Sequence, residues 1–113
     1  MPWWWPFKKR TEEEIEIAKV LEDIKDLMQK GLHDLQFKDF GKSKPNVLAF
    51  AESSKSEIDK LYRKVGRLSL GKFDPIKTNI EQLITSIKSG DIIDSERIIQ
   101  LTIKEIKKQL RRL

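Results

Sequence analysis

Six apolar residues, Ile92, Ile99, Ile103, Ile106, Leu110 and Leu113, recur at intervals of seven, four, three, four and three. That spacing puts all six on one side of an α-helix and would scatter them over both faces of a strand. The same rhythm runs through the chain upstream. Ile17, Leu21, Ile24, Met28 and Leu35 follow at four, three, four and seven, with Gly31 where a further core residue would stand. Ile15, Val20, Leu27 and Leu32 widen this stripe. Ala51, Ile58, Leu61, Val65 and Leu68 share one heptad-like phase with Ser54 in the gap, and Ile76, Ile80, Leu83 and Ile87 follow at four, three and four. No strand-like alternation competes. Stripes this wide belong to helices packed against more than one neighbour, and short connections imply antiparallel neighbours. The expected fold is all-α: an up-down-up-down antiparallel four-helix bundle over residues 11–113, preceded by an irregular Trp/Pro-rich arm over residues 1–10.

Local punctuation sets the boundaries. Thr11-Glu12-Glu13-Glu14 has capping-box spacing, and its acids suit the positive end of a helix dipole, so the first helix starts there. It reaches Leu35 or Phe37, with Gly31 a candidate kink or stop. Residues 40–46 read as a turn punctuated by Gly41 and Pro45, with Pro45 in the first turn of the second helix. Ser54-Lys55-Ser56-Glu57 repeats the capping-box spacing, but the apolar phase shared across Ser54 favours one helix bent near the serines. Gly66 and Gly71 bracket its end. Asp74-Pro75 supplies a capping carboxylate followed by proline at the first position of the third helix. Ser89-Gly90 closes that helix, and the fourth begins between Asp91 and Ser95.

The chemistry available to such a bundle is sparse. There is no cysteine among the 113 residues, which removes disulfides, thiolate zinc sites and a cysteine nucleophile. His33 is the single histidine, and Lys30 stands where a bundle metal site would place a glutamate three residues before it. No metal and no cofactor are expected. Gly41-Lys42-Ser43 carries part of a phosphate-loop motif, yet Gln36 occupies the position of its first glycine and no strand precedes it. The acids of the first helix, Glu12, Glu13, Glu14, Glu16, Glu22, Asp23 and Asp26, fall mostly on its polar face. There i to i+4 pairs such as Asp26 with Lys30 are expected in place of acid–base catalysis. The expectation is a non-enzymatic protein without a small-molecule substrate. The longest apolar runs fall far short of the ~20 residues that span a bilayer. The opening segment also places its charges after its aromatics, the reverse of a secretory signal. A cytoplasmic protein is expected.

The net charge of +5 is unevenly distributed. Residues 1–10 carry +3, residues 11–36 hold eight acids and three bases, and residues 37–113 hold seventeen bases and ten acids. An acidic first helix packed among basic ones can neutralise much of this internally, which weakens the case for nucleic acid made by the isoelectric point alone. Two basic features remain as candidate sites. One is the end of the fourth helix, where Lys104, Lys107, Lys108, Arg111 and Arg112 surround an apolar stripe. A basic amphipathic helix contacts anionic surfaces, although cations at a helix C-terminus also offset the macrodipole.

The other is the opening segment, in which Trp3, Trp4, Trp5 and Phe7 lie between prolines and run into Lys8, Lys9 and Arg10. Three consecutive indoles cannot all enter one small core, because adjacent side chains diverge. Residues 2–10 resemble the tryptophan-rich cathelicidin-type membrane peptides, and the resemblance implies affinity for a membrane interface. Indoles prefer the headgroup region. If each buries ~75–100 Å², three together gain roughly 6 to 7 kcal/mol at ~25 cal/mol per Å², enough for reversible attachment. The same residues also suit a plug over the open end of the bundle, or an interface with another subunit.

The reading is a helical adaptor or structural subunit, peripherally membrane-associated through its N-terminus. A first alternative is a nucleic-acid-associated or virion structural protein whose cations at 8–10, 42–44, 60–67 and 104–112 contact phosphates. A second is a homo-oligomeric protein-interaction module with the arm as a packing plug, since sustained heptads also suit packing between chains.

Overall fold

A computed structural model describes residues 11–65 and 68–113, and these form four helices that pack against one another, with no strand among them. Helix α1 spans Glu12–Phe37, α2 Phe40–Val65, α3 Asp74–Ser89 and α4 Ile92–Arg112, with a six-residue 3₁₀ segment, Leu68–Phe73, between α2 and α3. At ~1.5 Å per residue α1 and α2 are each about 39 Å long. The predicted arm, residues 1–10, lies outside the described residues.

The α1 start follows the predicted capping box. Thr11 Oγ1 accepts from the Glu14 amide at 3.1 Å, and Glu14 Oε1 accepts from the Thr11 amide at 3.0 Å. Gly31 does not end the helix, which continues to Phe37. A Cβ at Gly31 would lie 3.7 Å from Phe50 and Val47 of α2 and 3.8 Å from Ile99 of α4, ordinary contact distances, so the position packs between two neighbouring helices with room for an alanine.

The expected turn over residues 40–46 is helix instead, and the real connection is only Lys38-Asp39. The Asp39 carbonyl accepts from the amides of both Lys42 and Ser43 at 2.9 Å, which starts α2 early. Pro45 sits inside this helix, at the cost of one amide donor close to its N-terminal end. The helix continues through Ser54, whose buried hydroxyl donates to the Phe50 carbonyl at 2.8 Å.

Asp74 does not cap α3 as expected. The cap position is Phe73, which makes no side-chain cap bond, and Pro75 follows in the first turn. Gly90 ends α3 in the left-handed conformation, φ 81°, that an L side chain adopts only with strain. Asp91 then caps α4, its carboxylate accepting from the Asp94 amide at 2.9 Å.

All four helices contribute to one buried cluster that includes Leu21, Ile24, Met28, Ile58, Ile80, Leu83, Ile99 and Ile106. α1 packs on α2 and α4, and α3 packs on the same two helices. Phe73, from the α2–α3 connection, is sealed into this core at 1% exposure. On α4 the buried face is not the one the apolar spacing marks. Ile99 and Ile106 are buried as expected, but Ile92, Ile103, Leu110 and Leu113 are only partly covered. Ser95, Ile98, Thr102 and Gln109 are buried instead. The helix is turned toward α3, where Ser95 Oγ lies 3.0 Å from Ser86 Oγ. Two small side chains permit that close approach. Their hydroxyls find local carbonyls, Ser95 donating to Asp91 at 2.6 Å and Thr102 to Ile98 at 2.7 Å, so their burial leaves no donor unmet.

Candidate anionic-surface site

The basic end of α4 is the predicted site that falls within the described residues. Lys104, Lys107, Lys108, Arg111 and Arg112 recur at three, one, three and one, which gathers them on one side of the helix. All five are exposed. None of them takes part in an ion pair among the described residues, whereas Lys25, Lys38, Lys55, Lys64, Lys77 and Arg97 each have a carboxylate within 4.0 Å. Glu105, the acid within the same stretch, accepts from Gln109 Nε2 at 2.9 Å.

α1 packs directly on α4, yet no ion pair among the described residues joins them. Glu16 of α1 turns the other way, to Lys64 of α2 at 3.2 Å, and Glu22 pairs with Lys25 of its own helix at 2.9 Å. The expected Asp26–Lys30 pair is not among the ion pairs formed by the described residues. Arg111 and Arg112 fall in the last turn of α4, where they also complement the helix dipole.

The second predicted site, Trp3, Trp4, Trp5, Phe7, Lys8, Lys9 and Arg10, lies outside the described residues. The described chain begins at Thr11, whose cap fixes where α1 starts.

Other candidates resolve into structural roles. Gly41-Lys42-Ser43 is helical and the Ser43 hydroxyl, fully buried, faces the Phe40 carbonyl at 3.4 Å, an arrangement that offers no loop to a phosphate. His33 is mostly exposed, 3.9 Å from Asp34 and with its ring 4.8 Å from that of Phe37. Asp34 is the buried member of that group. Burial pushes its carboxyl up, but hydrogen bonds with Lys38 and Asn46 and the charges of Lys38 and His33 together outweigh this and hold it below its ordinary value. Among the described residues no three histidine, cysteine or acidic side chains are grouped to hold a metal.

A groove of about 630 Å³ runs between α3 and α4 past Thr78, Gln82, Thr85, Asp94 and Arg97. It was not legible in the sequence, because its residues belong to the polar faces of two different helices. Arg97 closes on Asp94 through Nη2 at 2.6 Å and Nε at 3.1 Å, and this pairing holds the Asp94 carboxyl below its usual range. Asp94 and Arg97 are thus paired with each other, and Glu81, which also lines the groove, lies 4.0 Å from Lys55 outside it. No described helix is long and apolar enough to cross a membrane. No family model matches the chain, and no curated protein and no solved structure matches it either.

Proposed function

We propose that the protein is a non-enzymatic helical adaptor or structural subunit that attaches peripherally to an anionic membrane surface. The observation that carries this reading is the stripe of five exposed α4 cations left without an acidic partner among the described residues. Each Lys or Arg near an anionic leaflet contributes about 1 kcal/mol, so five supply about 5 kcal/mol before ordering costs. In the sequence, Lys8, Lys9 and Arg10 supply three more cations, and Trp3, Trp4, Trp5 and Phe7 supply side chains with interfacial affinity.

The frame presenting the stripe is read as an up-down-up-down antiparallel bundle. Glu16 near the start of α1 meets Lys64 at the end of α2, and Asp34 near the end of α1 meets Asn46 near the start of α2. Asp59 and Lys77 join α2 to α3 in the same sense, and Ser86 and Ser95 join α3 to α4.

Co-sedimentation with phosphatidylserine-containing vesicles tests the reading, with neutral phosphatidylcholine vesicles alongside. The full chain should pellet with the anionic vesicles and be released by salt. Replacing Lys104, Lys107, Lys108, Arg111 and Arg112 by glutamine should abolish most binding while leaving helix content intact, and alanine at Trp3, Trp4 and Trp5 should weaken it. Binding that survives both sets of replacements would overturn the proposal. A gel shift with duplex DNA or RNA that falls steeply with salt and is lost in the glutamine variant, without vesicle binding, would assign the stripe to nucleic-acid phosphates instead.

A further inference from the structure

The seam between α1 and α2 is stitched at two points by attraction. Glu16 pairs with Lys64 at 3.2 Å, and Asn46 donates to Asp34 at 3.2 Å. The register that sets 16 opposite 64 and 34 opposite 46 also sets 23 opposite 57. Both occupants of that middle position are acids, Asp23 and Glu57. Glu57 lies seven residues from both Phe50 and Lys64, which face α1, so it shares their flank of α2.

Glu57 is not free to turn its whole carboxylate to water. Its Oε2 is buried and has no hydrogen-bond partner among the described residues. A buried oxygen without a partner is costly when charged and tolerable when neutral. The charged groups acting on it are Asp23 of α1, which disfavours ionisation, and Lys60 of its own helix, which favours it. Burial is the largest influence, Asp23 adds to it, and Lys60 offsets them only in part, so the Glu57 carboxyl is pushed above the ordinary 4.5.

We propose that a protonated Glu57, set opposite Asp23, latches the middle of the α1–α2 seam, closed while Glu57 holds a proton and loosened once Glu57 is ionised. The sign follows from linkage. A carboxyl whose folded-state proton affinity is raised gives stability that is fully present below the ordinary value and is lost as pH rises through the raised one. The latch therefore opens toward neutrality, opposite to the behaviour of Asp34 higher on the same seam.

Thermal melting and amide hydrogen exchange of the full chain across pH 4.5–8, corrected for intrinsic exchange rates, test this with Glu57→Gln and Asp23→Asn. Glutamine keeps the shape and removes the charge. The E57Q chain should melt above the parent near pH 7.5, with the gap closing toward pH 4.5. Amides in the middle of α1 should exchange more slowly in E57Q at the higher pH. D23N should raise the melting temperature in the same direction by less, and it carries the test alone if E57Q does not fold. A gap between E57Q and the parent that stays constant with pH would overturn the latch, and an unchanged D23N would overturn the part of Asp23 in it.

Discussion

The Tyr62 hydroxyl donates to Asp74 Oδ1 at 2.6 Å, joining the last turn of α2 to the first residue of α3 across the 3₁₀ connection. This explains why the Asp74 carboxylate does not cap its own helix: it is engaged with the preceding one. The ring of Tyr62 is buried, and Lys77 Nζ lies 5.2 Å from its centroid. Tyr62→Phe keeps the ring and deletes the donor, leaving a carboxylate oxygen to find water. A loss of about 1–2 kcal/mol is expected, the range for a hydrogen bond to a charged acceptor at a partly buried site. Urea unfolding of the two chains measures it, and an unchanged midpoint would show that water replaces the hydroxyl without cost.

Phe73 tests the same connection from the apolar side. Among the described residues it is the one aromatic with a fully buried side chain, and it comes from the segment between helices. Phe73→Ala should cost about 3–5 kcal/mol, the usual loss for a buried phenyl, and the variant should show a lower denaturation midpoint with little change in m. Exposed Lys72, whose Nζ lies 5.2 Å from the Phe73 ring centroid, should lose only about 0.5–1 kcal/mol on replacement by alanine.

Periodicity identified four helices because each buries a stripe that repeats near 3.6; Thr11 and Gly90 located two ends to within a residue, and the start of α4 at Ile92 fell inside the expected interval from Asp91 to Ser95. Two features were illegible for physical reasons. Residues 40–46 carry strong turn formers, yet burial of Val47, Ala51 and Ser43 in the α1–α2 contact outweighs the local preference of Gly41 and Pro45 for irregular structure. On α4 the isoleucine spacing marked a face that is only half buried. The decisive residues, Ser95 and Thr102, satisfy their own hydroxyls on the preceding turn, so in the core they behave as small fillers that hydropathy counts as polar. The cations of the candidate site were visible in the sequence. That they lack acidic partners was not, because pairing depends on which flank of α1 faces α4.

Gly90 stands at φ 81°, and its amide reaches the Ile87 carbonyl at 3.1 Å to close α3. An alanine there must hold a left-handed conformation, so Gly90→Ala is expected to lose about 1 kcal/mol. Space is not the obstacle, since the nearest atom to an added Cβ is Phe40 Cε2 at 3.9 Å. Asn, which tolerates this conformation better, should recover part of the loss in the same melting experiment.

Gln109 is buried in α4 with its Nε2 on Glu105 and its Oε1 without a partner among the described residues. Replacing it with methionine, of similar length and flexibility, removes the unsatisfied acceptor and the single bond to a partly exposed acid. The first change outweighs the second, because a buried unpaired acceptor costs about 1–3 kcal/mol and a rim hydrogen bond contributes less. Gln109→Met should therefore raise stability by about 1 kcal/mol, readable as a higher midpoint in denaturant. A fall of the same size would mean that Oε1 has a partner in solution.

Asp34 gives the acid limb of the pH profile. It accepts from Asn46 at 3.2 Å and lies 3.2 Å from Lys38 Nζ, and these partners hold its carboxyl below the ordinary 3.8. A carboxyl with lowered folded-state affinity gives stability that is present above the ordinary value and is lost as pH falls through the lowered one. Asp34→Asn should thus cost about 1–2 kcal/mol at pH 7, where the charge-assisted bonds are intact. The gap between parent and variant should narrow as pH drops below about 3.8 and the parent itself becomes protonated. Melting temperatures at pH 7, 5 and 3 measure this. A gap that persists unchanged at pH 3 would assign the loss to packing in the α1–α2 turn and not to the charge.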